Sequence, residues 1–147
     1  MNVRIIFIFL CVLVACKAPK NKVATEGENT VIEKKSIQIN REFPANRNEF
    51  TIEGAFIKSD SLIISITYSG GCEDHSFELY TNGMMAKSLP PQITLTLVNN
   101  SKPDNCRNLI RTNQSFGIDT LATLYQNKML LRITDYEKPL LYQPNNK

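Results

Sequence analysis

Hydrophobic residues recur at every second position through a series of short segments between residues 36 and 142. A period of two is that of a β-strand with one buried face, whereas a helix repeats every 3.6 residues. Residues that favour turns, such as those of the stretch KSDS, separate the segments. The residues that the pattern predicts on the core face are Ile37, Ile39, Ile52, Phe56, Leu62, Ile64, Ile66, Phe77, Leu79, Ile93, Leu95, Leu97, Leu109, Phe116, Ile118, Leu130 and Ile133.

Roughly seven short strands in about 110 residues predict an all-β fold, an antiparallel β-sandwich of immunoglobulin-like type. A single helical pattern interrupts the strands, in the stretch DTLATLYQ. Asp119 is a suitable capping residue there, and Leu121, Leu124 and Tyr125 follow the i, i+3, i+4 spacing of a helix face. We therefore expect at most one short helix, of about two turns.

The first fifteen residues, MNVRIIFIFLCVLVA, have the pattern of a secretory leader. Arg4 supplies the positive start, and an apolar run from Ile5 to Val14 follows. This run is too short to cross a hydrocarbon core of about 30 Å, which needs about 20 residues. Leu13 to Cys16 resemble a bacterial lipobox, which implies cleavage before Cys16 and lipidation (diacylglycerol and an N-terminal acyl chain, palmitate among them) at that cysteine.

The predicted organisation has three parts: a lipoprotein signal peptide at 1–15, the lipidated Cys16 with a flexible tether at 16–34, and a β-sandwich domain at 35–147. The tether is polar and charged, a composition that rarely folds alone. Stable anchoring by acyl chains predicts attachment to a membrane. Lys17 after the lipidated cysteine favours the outer membrane of a Gram-negative cell envelope.

Composition limits the classes of function. The chain is 42% hydrophobic and 21% charged, with a net charge of +3, as in an ordinary globular protein. The charge is too evenly balanced to indicate a nucleic-acid partner. The chain contains none of the common nucleophile-elbow, zinc-protease, phosphate-loop or calcium-loop motifs. We therefore predict no cofactor, and a binding module rather than an enzyme.

Two cysteines remain outside the leader and the lipid site, Cys72 and Cys106. Disulfides persist in the oxidising envelope compartment, so the pair predicts a disulfide bond. Each cysteine follows a turn sequence, and the bond would pin one loop against another at the same end of the sandwich. In the chain-entropy model, closing a loop of roughly 35 residues stabilises a fold by about 3 to 4 kcal/mol.

A second interpretation of the same residues is a metal or thiol site. The only histidine, His75, stands in C-x₂-H spacing from Cys72, and Cys106 could join as a third zinc ligand. Glu73, Asp74 or Asp104 could complete a set of four ligands. Cys72 with His75 could also form a reactive thiolate pair. Both alternatives need free thiols, which a disulfide would consume.

The stretch YSGGCEDHSFELY, with the later Asp104 and Cys106, resembles a group of small uncharacterised bacterial envelope lipoproteins. Their shared pattern is S-G-G-C-x-x-H-x-F-x-L followed by D-x-C, and the resemblance covers roughly residues 50–142. Members often carry His-Asp after the strand that precedes D-x-C, where this chain has Asn99 and Asn100. The resemblance supports the domain and the cysteine pair but implies no activity.

Two tripeptides, DSL at Ser61 and DTL at Thr120, resemble the acceptor of a periplasmic O-glycosylation system. Taken together, the sequence predicts a membrane-anchored envelope lipoprotein that is a non-enzymatic binding or scaffolding domain, with an envelope protein or a polymer as its ligand. The alternatives are the metal or thiol site at Cys72, His75 and Cys106, and an envelope inhibitor or immunity-type protein.

Overall fold

A computed structural model describes residues 33–46, 48–125 and 127–144 of the chain. The predicted signal peptide, Cys16 and nearly all of the predicted tether lie outside these residues. The elements in chain order are β1 (Lys34–Ser36), β2 (Gln38–Ile39), β3 (Phe50–Lys58), β4 (Ser61–Gly70), β5 (Phe77–Thr81), β6 (Met85–Ala86), β7 (Gln92–Asn99), β8 (Asn108–Gly117), α1 (Asp119–Tyr125), β9 (Met129–Ile133) and β10 (Leu140–Tyr142).

The strands form two sheets. The first has the order β1-β8-β4-β3, and the second has the order β10-β9-β7-β5-β2 with β6 paired to β7. The chain changes sheet between β4 and β5 and changes back between β7 and β8, and both crossings lie at the same end of the molecule. The predicted all-β sandwich with one short helix is therefore confirmed.

The direction of pairing differs from the purely antiparallel prediction in three ladders. β1 runs parallel to β8, β2 to β5, and β7 to β9. An immunoglobulin-like sandwich pairs its strands antiparallel, so the prediction is corrected here for these ladders. Parallel neighbours need a long crossover connection, and between β7 and β9 the chain supplies one through β8 and α1.

The core lies between the two sheets and follows the predicted alternation. Leu62, Ile64 and Ile66 of β4 are buried, as are Ile93 and Leu95 of β7. A fully buried side chain of this size contributes about 1.5–3 kcal/mol relative to its exposed state. The hydrophobic pattern therefore accounts for which faces of the central strands meet.

Three residues predicted on the core face are exposed instead: Ile39, Phe56 and Leu109. The clearest case is Phe56, which is 51% exposed because the register of β3 against β4 shifts between Ile52 and Gly54. Such a bulge inserts one residue and reverses which side chains face the core after it.

The helix α1 lies in the predicted stretch, at Asp119–Tyr125. Leu121 is fully buried against the core, whereas Leu124 is 54% exposed. The hydroxyl of Thr123 donates a hydrogen bond to the Asp119 carbonyl (3.2 Å). The helix thus closes one end of the sandwich through a single buried residue.

In the part of the chain that the structure describes, no helix combines the length and the hydrophobicity needed to span a bilayer.

Candidate functional site

Two segments cross between the sheets at the end opposite α1, residues 71–76 after β4 and residues 100–107 after β7. We call these segments together the cysteine corner. Cys72 and Cys106 join them by a disulfide bond, with Cα atoms 5.8 Å apart and a sequence separation of 34. This spacing is ordinary for a disulfide. The predicted bond, and its role in linking two loops at one end, are confirmed.

The carboxylate of Asp104 is the centre of the cysteine corner. Its Oδ2 atom accepts hydrogen bonds from the backbone N–H groups of Gly71 (2.9 Å), Cys72 (3.1 Å) and Glu73 (3.1 Å). Its Oδ1 atom accepts one from the N–H of Cys106 (2.8 Å). Successive N–H groups that converge in this way form an anion-binding nest. The first crossing segment is therefore folded around a carboxylate from the second.

These contacts lower the pKa of Asp104 well below its ordinary range. The hydrogen bond from the Cys106 N–H is the largest cause, and those from Glu73, Cys72 and His75 add to it, against an opposing effect of burial. Hydrogen bonds to the charged form favour that form. Asp104 is therefore a fixed anion within the corner.

His75 lies against this anion. Its Nε2 atom is 3.2 Å from Asp104 Oδ2, and its Nδ1 atom is 3.3 Å from the side-chain nitrogen of Asn99. The Asn99 oxygen accepts the N–H of Ser101 (3.2 Å), which turns the amide nitrogen toward the ring. This network assigns the ring proton to Nε2 and leaves Nδ1 as an acceptor. Both ring nitrogens are therefore occupied within the protein.

The pair is also closed to solvent. The side chains of His75 and Asp104 are each 1% exposed. The ring of Tyr68 covers the imidazole with its centroid 4.4 Å away, and contacts Phe77 at 5.4 Å. Burial raises the pKa of Tyr68, with further effects from the charges of Asp104 and Asp74. The only histidine of the chain thus packs as part of the framework.

Two glycines allow this close approach. A Cβ atom on Gly70 would lie 2.8 Å from His75 Nε2 and 2.9 Å from Asp104 Oδ2. Gly71 has a φ of +115°, a backbone conformation that side chains with a Cβ rarely adopt. The Gly-Gly pair of the sequence motif therefore serves the nest and the His75–Asp104 contact directly.

The structure brings the three proposed metal or thiol residues, Cys72, His75 and Cys106, into one corner. The donor atoms of Cys72, Cys106 and Asp104 lie within 4.8 Å of one another. The two sulfurs are joined to each other, however, and a thiolate ligand or nucleophile must be a free, deprotonated sulfur. The arrangement observed is therefore a disulfide beside a buried hydrogen bond between His75 and Asp104.

Sequence reasoning named Asp104 only as a possible metal ligand and missed the roles of Asn99 and Ser101 in holding this segment. Asn99, at the end of β7, is fully buried and binds the imidazole. The Ser101 hydroxyl accepts the N–H of Ser76 (2.5 Å). A polar residue closing an apolar strand, as in QITLTLVN, was the signal available for Asn99.

An open groove of about 840 Å³ lies beside the cysteine corner. The residues that line it come from the segment before β3, from β3, β4 and β8, and from the turn after β9: Asn46, Asn48, Glu49, Phe50, Thr51, Ile52, Thr67, Tyr68, Ser69, Leu109 and Asp135. Tyr68 belongs to both regions, with its ring packed on His75. The corner therefore supports one wall of the groove.

The two predicted acceptors for O-glycosylation lie at the other end of the molecule. Ser61 is the first residue of β4 and is partly exposed, and Thr120 is exposed in α1. Asp60, which precedes Ser61, accepts a hydrogen bond from the Tyr142 hydroxyl (2.8 Å). Burial, followed by this bond, raises the pKa of Tyr142. Modification at Ser61 and Thr120 stays a prediction.

The lowered pKa of Asp104 leads to an acid-dependence of stability. The carboxylate stabilises the fold at every pH above its unfolded pKa, about 3.9. That contribution is lost as the pH falls through the lower, folded value. We expect Asp104→Asn to lower the free energy of unfolding at pH 7 and to flatten its decline below about pH 4, measured by urea unfolding across acidic pH. Asp74→Asn, at an exposed neighbour, is the control; an unchanged acid profile in Asp104→Asn would contradict the assignment.

No protein-family profile matches the chain, and no curated protein sequence matches it. Among solved structures, the chain is similar to a protein of unknown function, DUF1344, from Bacteroides vulgatus ATCC 8482. The sequence identity is 19% and the TM-score is 0.49, and the similarity covers 77% of this chain and 57% of that chain. The chain thus spans less than two thirds of the length of that protein.

Proposed function

We propose that the protein is a lipid-anchored binding or scaffolding domain of the cell envelope, without catalytic activity of its own. The observation that carries the proposal is the state of the cysteine corner. His75 and Asp104 are each 1% exposed and fully hydrogen-bonded, and Cys72 and Cys106 are joined. The side chains that could otherwise act as nucleophile, base or metal ligand therefore serve to hold two loops together.

The groove beside the corner is the place where a ligand would bind. Open clefts that combine a few converging polar groups with apolar surface are typical binding sites. Loops and strand ends held by a rigid scaffold commonly carry such sites. The disulfide and the Asp104 nest provide that rigidity next to Tyr68 and Ser69 of the groove wall.

Anchoring by Cys16 rests on the leader sequence. A positive start, an apolar run of signal-peptide length and a lipobox-like ending support cleavage before Cys16 and lipidation there. Lys17 supports the outer membrane as the destination. The domain at 35–147 would then be held near the membrane by the polar tether.

The anchoring is tested with a Cys16→Ser variant expressed in a Gram-negative host. We expect the native protein to fractionate with membranes and to carry the added mass of acyl chains on Cys16, and we expect Cys16→Ser to lose both. Cys11→Ser, a change within the leader, is the matched control and should keep the lipid. An unmodified Cys16 in intact-mass and fractionation measurements would rule the anchor out.

The binding role is tested separately by cross-linked purification of the native protein from solubilised membranes. A partner captured in stoichiometric amount would be expected to disappear when residues of the groove are changed. A stoichiometric partner whose own activity is blocked would instead favour an inhibitor or immunity role. Two reactive thiols in the native protein would favour the metal or thiol site.

A further inference from the structure

Part of the groove lining belongs to the outer face of the first sheet. Thr51 on β3 pairs with Thr67 on β4, and Ser69 on β4 pairs with Leu109 on β8. Side chains on paired strands share a face when their residues are in register. Thr51, Thr67, Ser69 and Leu109 therefore form one contiguous surface that crosses three strands. Three of its four members carry hydroxyl groups, and the fourth, Leu109, has a side chain that is 66% exposed.

The rim adds amides and carboxylates. Asn46 and Asn48 each use part of their amide in the protein: Asn46 accepts the N–H of Asn99 (2.9 Å), and Asn48 donates to the carbonyls of Ser101 and Lys102 (both 3.1 Å). These bonds use the side-chain oxygen of Asn46 and the side-chain nitrogen of Asn48, and they leave the Asn46 nitrogen and the Asn48 oxygen for other partners. Glu49 and Asp135 supply carboxylates. Within the described part of the chain, the groove lining includes no lysine or arginine.

Thr67 is the most buried of the hydroxyl residues on this surface. The residue is only 9% exposed, although it lies on the outer face of the sheet, and its Oγ1 atom has no hydrogen-bond partner among the described residues. A buried hydroxyl without a partner costs about 1–3 kcal/mol. Rotation about its Cα–Cβ bond exchanges the hydroxyl with the methyl group. Because Oγ1 is itself shielded from solvent, a ligand hydroxyl would reach it only after this rotation.

We infer that the groove binds an uncharged glycan strand. Hydroxyl, amide and carboxylate groups can each bond to sugar hydroxyls, and the exposed Leu109 can cover the apolar face of a sugar ring. The carboxylates of Glu49 and Asp135 disfavour an anionic polymer through like-charge repulsion. The open shape of the groove allows a chain to continue beyond it. This inference rests on the proposed binding function and names the ligand class of its groove.

The test uses the lipidated full-length protein in a detergent without a sugar headgroup. Saturation-transfer difference NMR measures the binding of three neutral hexasaccharides, with β-linked glucose, α-linked glucose and β-linked N-acetylglucosamine units. An oligogalacturonate serves as the anionic probe, and oligolysine represents a cationic peptide. We expect at least one neutral hexasaccharide to bind. We expect oligogalacturonate to bind more weakly than each neutral hexasaccharide that binds.

Two groove variants sharpen the test. Thr67→Val removes the hydroxyl and keeps the shape, so we expect about 2- to 10-fold weaker glycan binding. Since it also removes an unpartnered buried hydroxyl, its Tm should rise by about 2–6 °C. Glu49→Gln should weaken binding about 10-fold. Thr94→Val and Glu137→Gln, which alter exposed residues outside the groove, are the matched controls and should leave binding unchanged.

The outcomes separate the two proposals. Binding of a neutral glycan that is weakened in Thr67→Val while Tm rises would support the inference. Binding of oligolysine alone would overturn it and leave a binding domain for a cationic peptide. Equal binding of the anionic probe, or no binding by any of the neutral probes, would also overturn it. The anchoring and partner-capture experiments would decide the proposed function independently in each case.

Discussion

Replacing Cys72 and Cys106 together with alanine is expected to lower the free energy of unfolding by about 3 to 4 kcal/mol. The bond closes a loop with a sequence separation of 34, and its loss restores conformational freedom to the unfolded chain. Small domains have total stabilities of about 5–15 kcal/mol, so this change is a large share. The two crossing segments would also lose their covalent link while keeping the Asp104 hydrogen bonds.

Urea unfolding, followed by circular dichroism with and without dithiothreitol, measures the effect. Reductant should destabilise the native protein by a similar amount and should leave the double-alanine variant unchanged. Because that variant lacks the disulfide, any effect of dithiothreitol on its stability would be unrelated to the Cys72–Cys106 bond. Equal stability of the native protein in both conditions, with titratable thiols before unfolding, would show that the two sulfurs are not joined in solution.

Substituting alanine for Gly70 is the second change with a large expected effect, a destabilisation of about 2–3 kcal/mol. The added Cβ would lie 2.8 Å from His75 Nε2 and 2.9 Å from Asp104 Oδ2, closer than such atoms can approach. The imidazole cannot retreat easily, because Tyr68 packs on its face and Asn99 binds its other nitrogen. The expected result is strain or a broken hydrogen bond in a site closed to water.

Gly54→Ala is the matched control for this change. Gly54 also lies in a strand, but a Cβ there meets no atom within 4 Å. We expect its stability to equal or exceed that of the native protein, by up to about 1 kcal/mol, because alanine loses less backbone freedom on folding than glycine. Chemical unfolding of both variants gives the comparison. If Gly70→Ala were as stable as Gly54→Ala, the close packing around His75 would be disproved.

Both expectations concern one structural role. The chain crosses between the sheets twice at the same end, and a crossing segment has no ladder partner for its backbone N–H groups. Such groups need other acceptors when they are removed from water. Asp104 provides one acceptor group for four of them. The disulfide holds the carboxylate and the N–H groups in place against each other.

The sequence alone determined the class of the fold and the cysteine pair. Alternation of apolar residues is a local property, because successive side chains of a strand point to opposite faces whatever the strand pairs with. Leu62, Ile64 and Ile66 could therefore be assigned to the core from their spacing. The cysteine pair followed from counting, since the predicted leader and the predicted lipidation motif account for Cys11 and Cys16.

Other features required the tertiary structure. A bulge shifts the register between Ile52 and Gly54, so Phe56 points outward even though its spacing from Ile52 suits a core face. The parallel pairing of β7 with β9 depends on how the chain crosses the sandwich. Neither the register shift nor the pairing direction can be predicted from the local hydrophobic pattern, because both depend on the partner strand rather than on the strand itself.

The surroundings of His75 were decided in the same way. Asp104 and Asn99 lie 29 and 24 residues from it in sequence, and each contact depends on where a distant loop or strand end comes to rest. The motif around Cys72 could indicate a chemical site or a structural corner. In the folded chain an anion, an amide and an aromatic ring surround the imidazole. This arrangement makes the motif around Cys72 a structural corner.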